Sequence, residues 1–95
     1  MITTKQRAKL RGLANPMDTI LQIGKSGIIG TTITQVDEAL SARELIKLRC
    51  LETSPVTAKE AAATLAENLE ADIVQVIGTR FVLFRRNKKA PQIEL

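Results

Sequence analysis

The chain has 95 residues, 44% of them hydrophobic and 25% charged, and a formal net charge of +4. This length predicts one small domain, and the ordinary composition excludes collagen, low-complexity disorder and disulfide scaffolds. The chain lacks histidine, which excludes His-dependent catalytic relays and metal sites, and its single cysteine, Cys50, cannot form an internal disulfide.

The charge is unevenly distributed along the chain. Residues 1–36 hold five bases and one acid, residues 37–79 hold four bases and eight acids, and residues 80–95 hold five bases and one acid. Two basic ends favour a polyanionic partner, although the same charge could simply keep a small protein soluble. No apolar run approaches the roughly 18 residues of a membrane span, and the N-terminus lacks a signal-peptide pattern. Because the single Cys50 cannot form an internal disulfide, we expect a cytoplasmic protein.

The first predicted element is a helix over residues 4–14. Thr3 and Gln6 have the spacing of a capping box, and Asn15-Pro16 ends the helix because the residue before proline disfavours helical angles. The apolar stripe is narrow, so we expect a surface helix whose basic side faces water. Its bases are Lys5, Arg7, Lys9 and Arg11.

A strand at residues 20–23, a glycine loop at residues 24–27 and a helix over residues 30–42 follow. In the next predicted strand, residues 45–51, core positions alternate with Lys47 and Arg49. Cys50 lies among the core positions, so we expect a small buried hydrophobe.

A third helix opens at Ser54-Pro55, with proline in its first turn, and it ends near Glu70 without the usual glycine. Thr57 and Glu60 give a second possible capping box. Residues 73–77 and 80–84 form a predicted hairpin around Gly78-Thr79, in which a type II′ turn pairs Ile77 with Arg80. This register places Val74, Val76, Phe81 and Leu83 on one face of the hairpin.

The elements predict an α/β fold: a single small α-β-α-β-α-β-β domain with a mixed four-stranded sheet. The domain covers residues 1–86, and residues 87–95 form a basic, weakly structured tail.

The glycine loop is the first feature that suggests chemistry. It consists of Gly24, Lys25, Ser26 and Gly27, between a strand and a helix, where backbone amides can hold an anion. A Walker A loop would need a glycine at position 19, where Thr19 stands, so we do not expect nucleotide hydrolysis. The G-x-x-G spacing matches the backbone clamp of KH-type RNA binders, but a plain tight turn has the same spacing, as does Gly27–Gly30.

The basic segments are the second feature. The bases of the first helix and those near the C-terminus suit phosphate contacts. The C-terminal bases are Arg80, Arg85, Arg86, Lys88 and Lys89. Phe81 and Phe84 are the only aromatic residues, so base stacking on exposed rings is not expected. Contact with the backbone and shape of structured RNA fits better.

Several stretches together resemble a known family. They are Thr4-Lys5-Gln6-Arg7, Leu10-Arg11-Gly12-Leu13-Ala14, Ile23-Gly24-Lys25-Ser26-Gly27-Ile28, Glu44-Leu45-Ile46-Lys47-Leu48, Val74-Gln75-Val76-Ile77-Gly78 and Phe81-Val82-Leu83-Phe84-Arg85. Their order and spacing are similar to the CRM domain (chloroplast RNA splicing and ribosome maturation), whose stand-alone bacterial members are called YhbY-like. Phe84 stands where members often carry a tyrosine.

The resemblance implies an RNA-binding domain similar in fold to the C-terminal domain of translation initiation factor three. It implies association with ribosomal RNA in precursors of the large subunit, with RNA contacts at residues 24–27 and at the bases of the first helix. We expect a monomer without a cofactor, a metal or a membrane partner.

Two other functions stay open at this point. The acidic middle segment could make the chain a protein-interaction module. An enzyme that binds a phosphate-bearing ligand at residues 24–27 is a further alternative, but no catalytic set accompanies the loop.

Overall fold

The computed structural model describes residues 2–95, which form three helices and four strands. The helices are α1 (Thr4–Ala14), α2 (Gly30–Arg43) and α3 (Ala58–Leu69), and the strands are β1 (Leu21–Ile23), β2 (Leu45–Cys50), β3 (Asp72–Ile77) and β4 (Arg80–Phe84). The strands build one sheet in the order β1-β2-β4-β3. The predicted element order and the mixed four-stranded sheet are confirmed.

The strand directions bring three connections to the same end of the sheet. β1 runs parallel to β2, whereas β4 is antiparallel to both β2 and β3. Residues 24–29, residues 51–57 and the hairpin turn at residues 78–79 therefore share one end, which we call the turn end. The opposite end, where β4 leaves the sheet, is called the tail end.

Each face of the sheet carries its own hydrophobic cluster. The cluster between the sheet and helices α2 and α3 includes Ile46, Leu48, Cys50, Phe81 and Leu83. The other face lies under α1, and its cluster consists of Leu10, Ala14, Leu45, Val74, Val82 and Phe84. Because both faces are covered, Phe84 is only 2% exposed. Cys50 is buried as predicted, and burial raises the pKa of its thiol.

Two predicted capping boxes define helix starts. Thr3 and Gln6 exchange side-chain and backbone hydrogen bonds at the start of α1. Thr57 and Glu60 do the same for α3, which begins at Ala58. The predicted start of the third helix at Ser54-Pro55 is therefore wrong. The Ser54 hydroxyl donates to the Val56 carbonyl oxygen and accepts from the Val56 N–H in the turn before α3.

The hairpin follows the predicted register only near its turn. Gly78 has a φ of +57°, as the first central residue of a type II′ turn requires, and Ile77 lies opposite Arg80. A bulge between Ile73 and Gln75 then shifts the pairing. Val74 consequently packs under α1, on the opposite face of the sheet from Phe81 and Leu83. The prediction that all three share one face is therefore wrong for Val74.

The tail, residues 87–95, contains no helix or strand, but Glu44 holds it at two points. The fully buried Glu44 carboxylate accepts hydrogen bonds from the backbone N–H groups of Asn87, Gln92 and Ile93 at 2.6–2.7 Å. Ile93 and Leu95 also pack against the cluster under α1. The tail is thus attached to the domain without regular structure.

No helix within residues 2–95 has the length and apolar character that a membrane span requires.

Candidate nucleic-acid interface

The glycine loop presents two side chains at the tip of a tight turn. The Gly27 N–H donates to the Gly24 carbonyl oxygen at 3.0 Å, so Lys25 and Ser26 occupy the two central positions, and both are exposed. Gly27 is buried with a φ of +67°, and a Cβ there would lie 3.0 Å from Pro55 Cγ. The first G-x-x-G spacing therefore forms the turn, whereas Gly30 is already the first residue of α2.

The loop leads directly into the N-terminus of α2. The N-cap residue is Ile29, whose side chain has no oxygen to accept a hydrogen bond from the first helical amides. The Thr32 hydroxyl accepts a hydrogen bond from the Ile29 N–H at 3.4 Å, but the first amides of α2 have no side-chain acceptor from the N-cap residue. Amides at a helix start carry partial positive charge, and with Lys25 nearby in the loop they suit an anion.

The bases of α1 lie on the other face of the sheet from α2 and α3. Arg7 Nε donates to the Ile73 carbonyl oxygen at 3.2 Å, and Lys9 Nζ donates to the Glu94 carbonyl oxygen at 2.6 Å. Lys5 and Arg11 are exposed. The four bases therefore spread over the helix surface, and two of them also contact β3 and the tail.

The C-terminal bases are divided between the two ends of the sheet. Arg80 opens β4 at the turn end, where the Cys50 N–H donates to the Thr79 carbonyl oxygen at 2.8 Å. Residues 85–89 follow β4 at the tail end, about 17 Å away along five residues of antiparallel strand. The exposed bases Arg86, Lys88 and Lys89 therefore form a group separate from Arg80.

Arg85 has a structural role. Its guanidinium donates to the Asp37 carboxylate at 2.7 Å, to the Asp37 carbonyl, to the Ser41 hydroxyl and to the Leu69 carbonyl. These bonds join β4 to α2 and to the end of α3. Arg85 was predicted to contact RNA, but its side chain is engaged within the fold, so we leave it out of the candidate interface.

Sequence reasoning did not assign Lys47 and Arg49 to the interface. Both lie on β2 facing α1, in register with Val82 and Arg80 of β4. Their alternation with core residues had indicated a polar face, but only the pairing of β2 with β4 places them beside Arg80. The turn end thus carries Lys25, Arg49 and Arg80, and Lys47 lies at the middle of the sheet.

Residues 2–95 contain no cluster of side chains that could hold a metal ion. The chemistry of the turn end is that of anion binding by cations and backbone amides.

Comparison with known proteins identifies the family. Residues 2–85 match the sequence profile of the CRS1 / YhbY (CRM) domain. The chain belongs to the CRM domain family. The predicted resemblance is thereby confirmed over nearly the whole chain.

Individual relatives match the chain over most of their own lengths. The probable RNA-binding protein YqeI of Bacillus subtilis is 39% identical over 95 residues, which is 100% of this chain and 99% of that protein. An RNA-binding protein of Haemophilus influenzae is 28% identical and covers 94% of this chain and 90% of its own length. The solution structure of SAV1595 from Staphylococcus aureus, a candidate RNA-binding protein, is 45% identical, with a TM-score of 0.83 and coverage of 100% and 99%.

Proposed function

We propose that this protein binds structured RNA through phosphate contacts, as a non-enzymatic factor that docks on ribosomal RNA in precursors of the large ribosomal subunit. The observation that carries the proposal is the glycine loop. It exposes Lys25 and Ser26 beside the uncapped N-terminus of α2, in a CRM domain whose relatives are named RNA-binding proteins.

The interface centres on the turn end. Gly24 and Gly27 shape the turn, Lys25 and Ser26 supply amides, a hydroxyl and a cation for one phosphate, and Arg80 lies at the same end of the sheet. Flanking bases orient the RNA over a longer path: Lys5, Arg7, Lys9 and Arg11 on α1, with Arg86, Lys88 and Lys89 at the tail end.

The placement of the aromatic residues supports recognition of the RNA backbone. Phe81 and Phe84 are 1% and 2% exposed, so neither ring is available to stack on a base. Contacts to phosphates carry no sequence information directly, and they suit an RNA recognised by shape.

The rival function as a protein-interaction module depended on the acidic middle segment. Two of its acids serve the fold: Glu44 holds the tail, and Asp37 pairs with Arg85 at 2.7 Å. We therefore favour RNA as the partner.

Lys25→Ala tests the loop directly. We expect roughly three- to tenfold weaker binding to a transcript of large-subunit ribosomal RNA, because one phosphate contact is lost. The melting temperature stays unchanged since Lys25 is exposed. Fluorescence anisotropy measures the affinity, and Arg43→Ala, which removes an exposed base from the tail-end turn of α2, is the matched control. Equal affinities for Lys25→Ala and the wild type would remove the loop from the interface.

The ribosomal assignment has its own test. Crosslinking in cells followed by sequencing of the attached RNA should recover large-subunit ribosomal RNA, enriched in unprocessed precursors. Recovery of messenger RNA alone would contradict it while leaving RNA binding intact.

A further inference from the structure

The face of the sheet under α1 is covered mainly toward the tail end. Leu10 and Ala14 of α1 pack on Leu45, Val74, Val82 and Phe84, all at or beyond the middle of the sheet on the tail side. At the turn end, Ile77 is 61% exposed and Arg80 is exposed. This sheet face is therefore less covered at the turn end than at the tail end.

The strand register places two arginines directly opposite each other at the turn end of this face. Arg49 of β2 pairs with Arg80 of β4, and Arg80 pairs with Ile77 of β3. Residues directly opposite in a sheet project from the same face, so the three side chains form one row. Gln22 of β1 extends that row, because it pairs with Arg49.

The arginine pair has no acidic partner. Within residues 2–95, the one salt bridge joins Arg85 to Asp37, so neither Arg49 nor Arg80 has a carboxylate oxygen within 4.0 Å. Like charges directly opposite on neighbouring strands are destabilising. A phosphate between the two guanidiniums would remove the repulsion and accept hydrogen bonds from both forks.

A cavity of about 110 Å³ is lined by Arg80, and Arg49 lies outside it, opposite Arg80 on the neighbouring strand. Its walls include Asn15, Lys47, Gln75, Ile77 and Arg80. The side-chain amides of Asn15 and Gln75 each supply a donor and an acceptor, and Ile77 forms an apolar wall. Lys47 Nζ donates a 3.3 Å hydrogen bond to the Asn15 carbonyl oxygen. This mixture suits a planar, polar-edged group better than it suits a bare phosphate, because amides match the hydrogen-bonding edge of a base.

We propose that this surface binds one unpaired nucleotide of the RNA. Arg49 and Arg80 hold its phosphate, and the base enters the cavity against Ile77, with its edge toward Asn15 and Gln75. The inference rests on the proposed RNA binding and adds a contact to an extruded base, which phosphate contacts at the glycine loop do not provide. Bulges and loops of structured RNA supply such nucleotides.

The test compares two RNAs that differ only in an unpaired nucleotide. Fluorescence anisotropy at low salt measures binding to a fully paired RNA duplex and to the same duplex with a bulge. We expect the wild type to bind the bulged duplex roughly tenfold more tightly. Ile77→Ser should reduce that preference below about twofold while leaving affinity for the paired duplex within about twofold, because Ile77 carries no charge.

Arg49→Gln is compared with Arg43→Gln, which removes the same charge from the far end of α2. Arg49→Gln should also lose the preference for the bulge, whereas Arg43→Gln should keep it. Without RNA, Arg49→Gln should raise the melting temperature by roughly 1–4 °C, since the like-charge pair is gone, and Arg43→Gln should not.

The outcomes separate the two proposals. If the wild type binds both RNAs equally, or if Ile77→Ser and Arg49→Gln keep the full preference for the bulge, the nucleotide site is refuted and RNA binding stands. If the wild type binds neither RNA, the proposed function fails and this inference fails with it.

Discussion

The shape of the glycine loop depends on one of its two glycines. Gly27 combines a left-handed φ of +67° with a close approach to Pro55, whereas a Cβ on Gly24 would meet no atom within 4 Å. Only glycine adopts that φ without steric cost. Gly27 therefore maintains the turn that exposes Lys25 and Ser26.

We expect Gly27→Ala to lower the free energy of unfolding by about 1–2 kcal/mol, because the new Cβ is strained by the positive φ and crowds Pro55. Urea denaturation measures the change. Gly30→Ala is the control: Gly30 lies in α2 with open space at its Cβ position, so alanine should be neutral or slightly stabilising there. A Gly27→Ala protein as stable as the wild type would show that the loop tolerates another shape.

Single positions differ in how far the sequence predicts them. Cys50 alternates with large apolar residues, so its burial follows from the strand pattern alone. The sequence does not predict whether Phe84 is buried or exposed, because both faces of the hairpin are largely apolar and the sequence does not show what covers each one. The packing of α1 over Phe84 decides its burial.

At the scale of elements, Glu44 joins the start of β2 to the tail. It caps the C-terminus of α2 with a φ of +64°, a conformation in which glycine is usual. Its side chain explains the exception, because the carboxylate binds three backbone N–H groups of the tail. Burial raises the pKa of the Glu44 carboxyl, but these three hydrogen bonds and the positive charge of Arg86 lower it below the usual 4.5 overall.

The lowered pKa predicts an acid-sensitive attachment of the tail. Because the folded-state pKa lies below the unfolded one, Glu44 contributes its stability above about pH 4.5, and the contribution is lost as pH falls through the folded pKa. Glu44→Gln should cost about 2 kcal/mol at pH 7 in urea denaturation, because the buried amides lose a charged acceptor.

The Glu44→Gln protein should also lose less stability than the wild type as pH falls below about 4.5, the ordinary pKa of the carboxyl. Glu67→Gln, a change at an exposed carboxylate of α3, is the control and should follow the wild type. Parallel pH profiles for Glu44→Gln and the wild type would contradict the role given to Glu44.

Elements were predictable where their signals are local. The capping boxes at Thr3 and Thr57 act within three residues, so both are visible in the sequence, although the predicted start of α3 at Ser54-Pro55 lies before its capping box. The bulge beside Val74 has no such signal, because it results from the pairing of β3 with β4 under two separate helices.

At the scale of the whole molecule, the sheet topology distributes the bases over the surface. The sheet separates Arg80 from residues 85–89, and the acidic middle segment itself contributes Arg49 to the turn end and Lys47 to the middle of the sheet. The RNA path that we propose therefore extends along the domain.

An extended path of phosphate contacts predicts strong salt dependence. Neutralising about six phosphates gives a slope of about −5 in a plot of the logarithm of the binding constant against that of salt concentration, with the coefficient for duplexes. Anisotropy titrations from low to physiological salt measure it. A binding constant nearly independent of salt would refute the electrostatic mechanism.

Local patterns in the chain were enough to predict the order of the elements, the two capping boxes, the hairpin turn, the glycine loop and the family. Each of these depends on neighbours a few residues apart, whose spacing is visible in the chain. The availability of the bases, in contrast, depends on long-range contacts. Arg85 finds its partner 48 residues away in Asp37, Glu44 meets amides 43–49 residues away, and Arg49 faces Arg80 across two strands. Such contacts form when sheet register and helix packing bring distant segments together, and the local pattern of residues does not encode them.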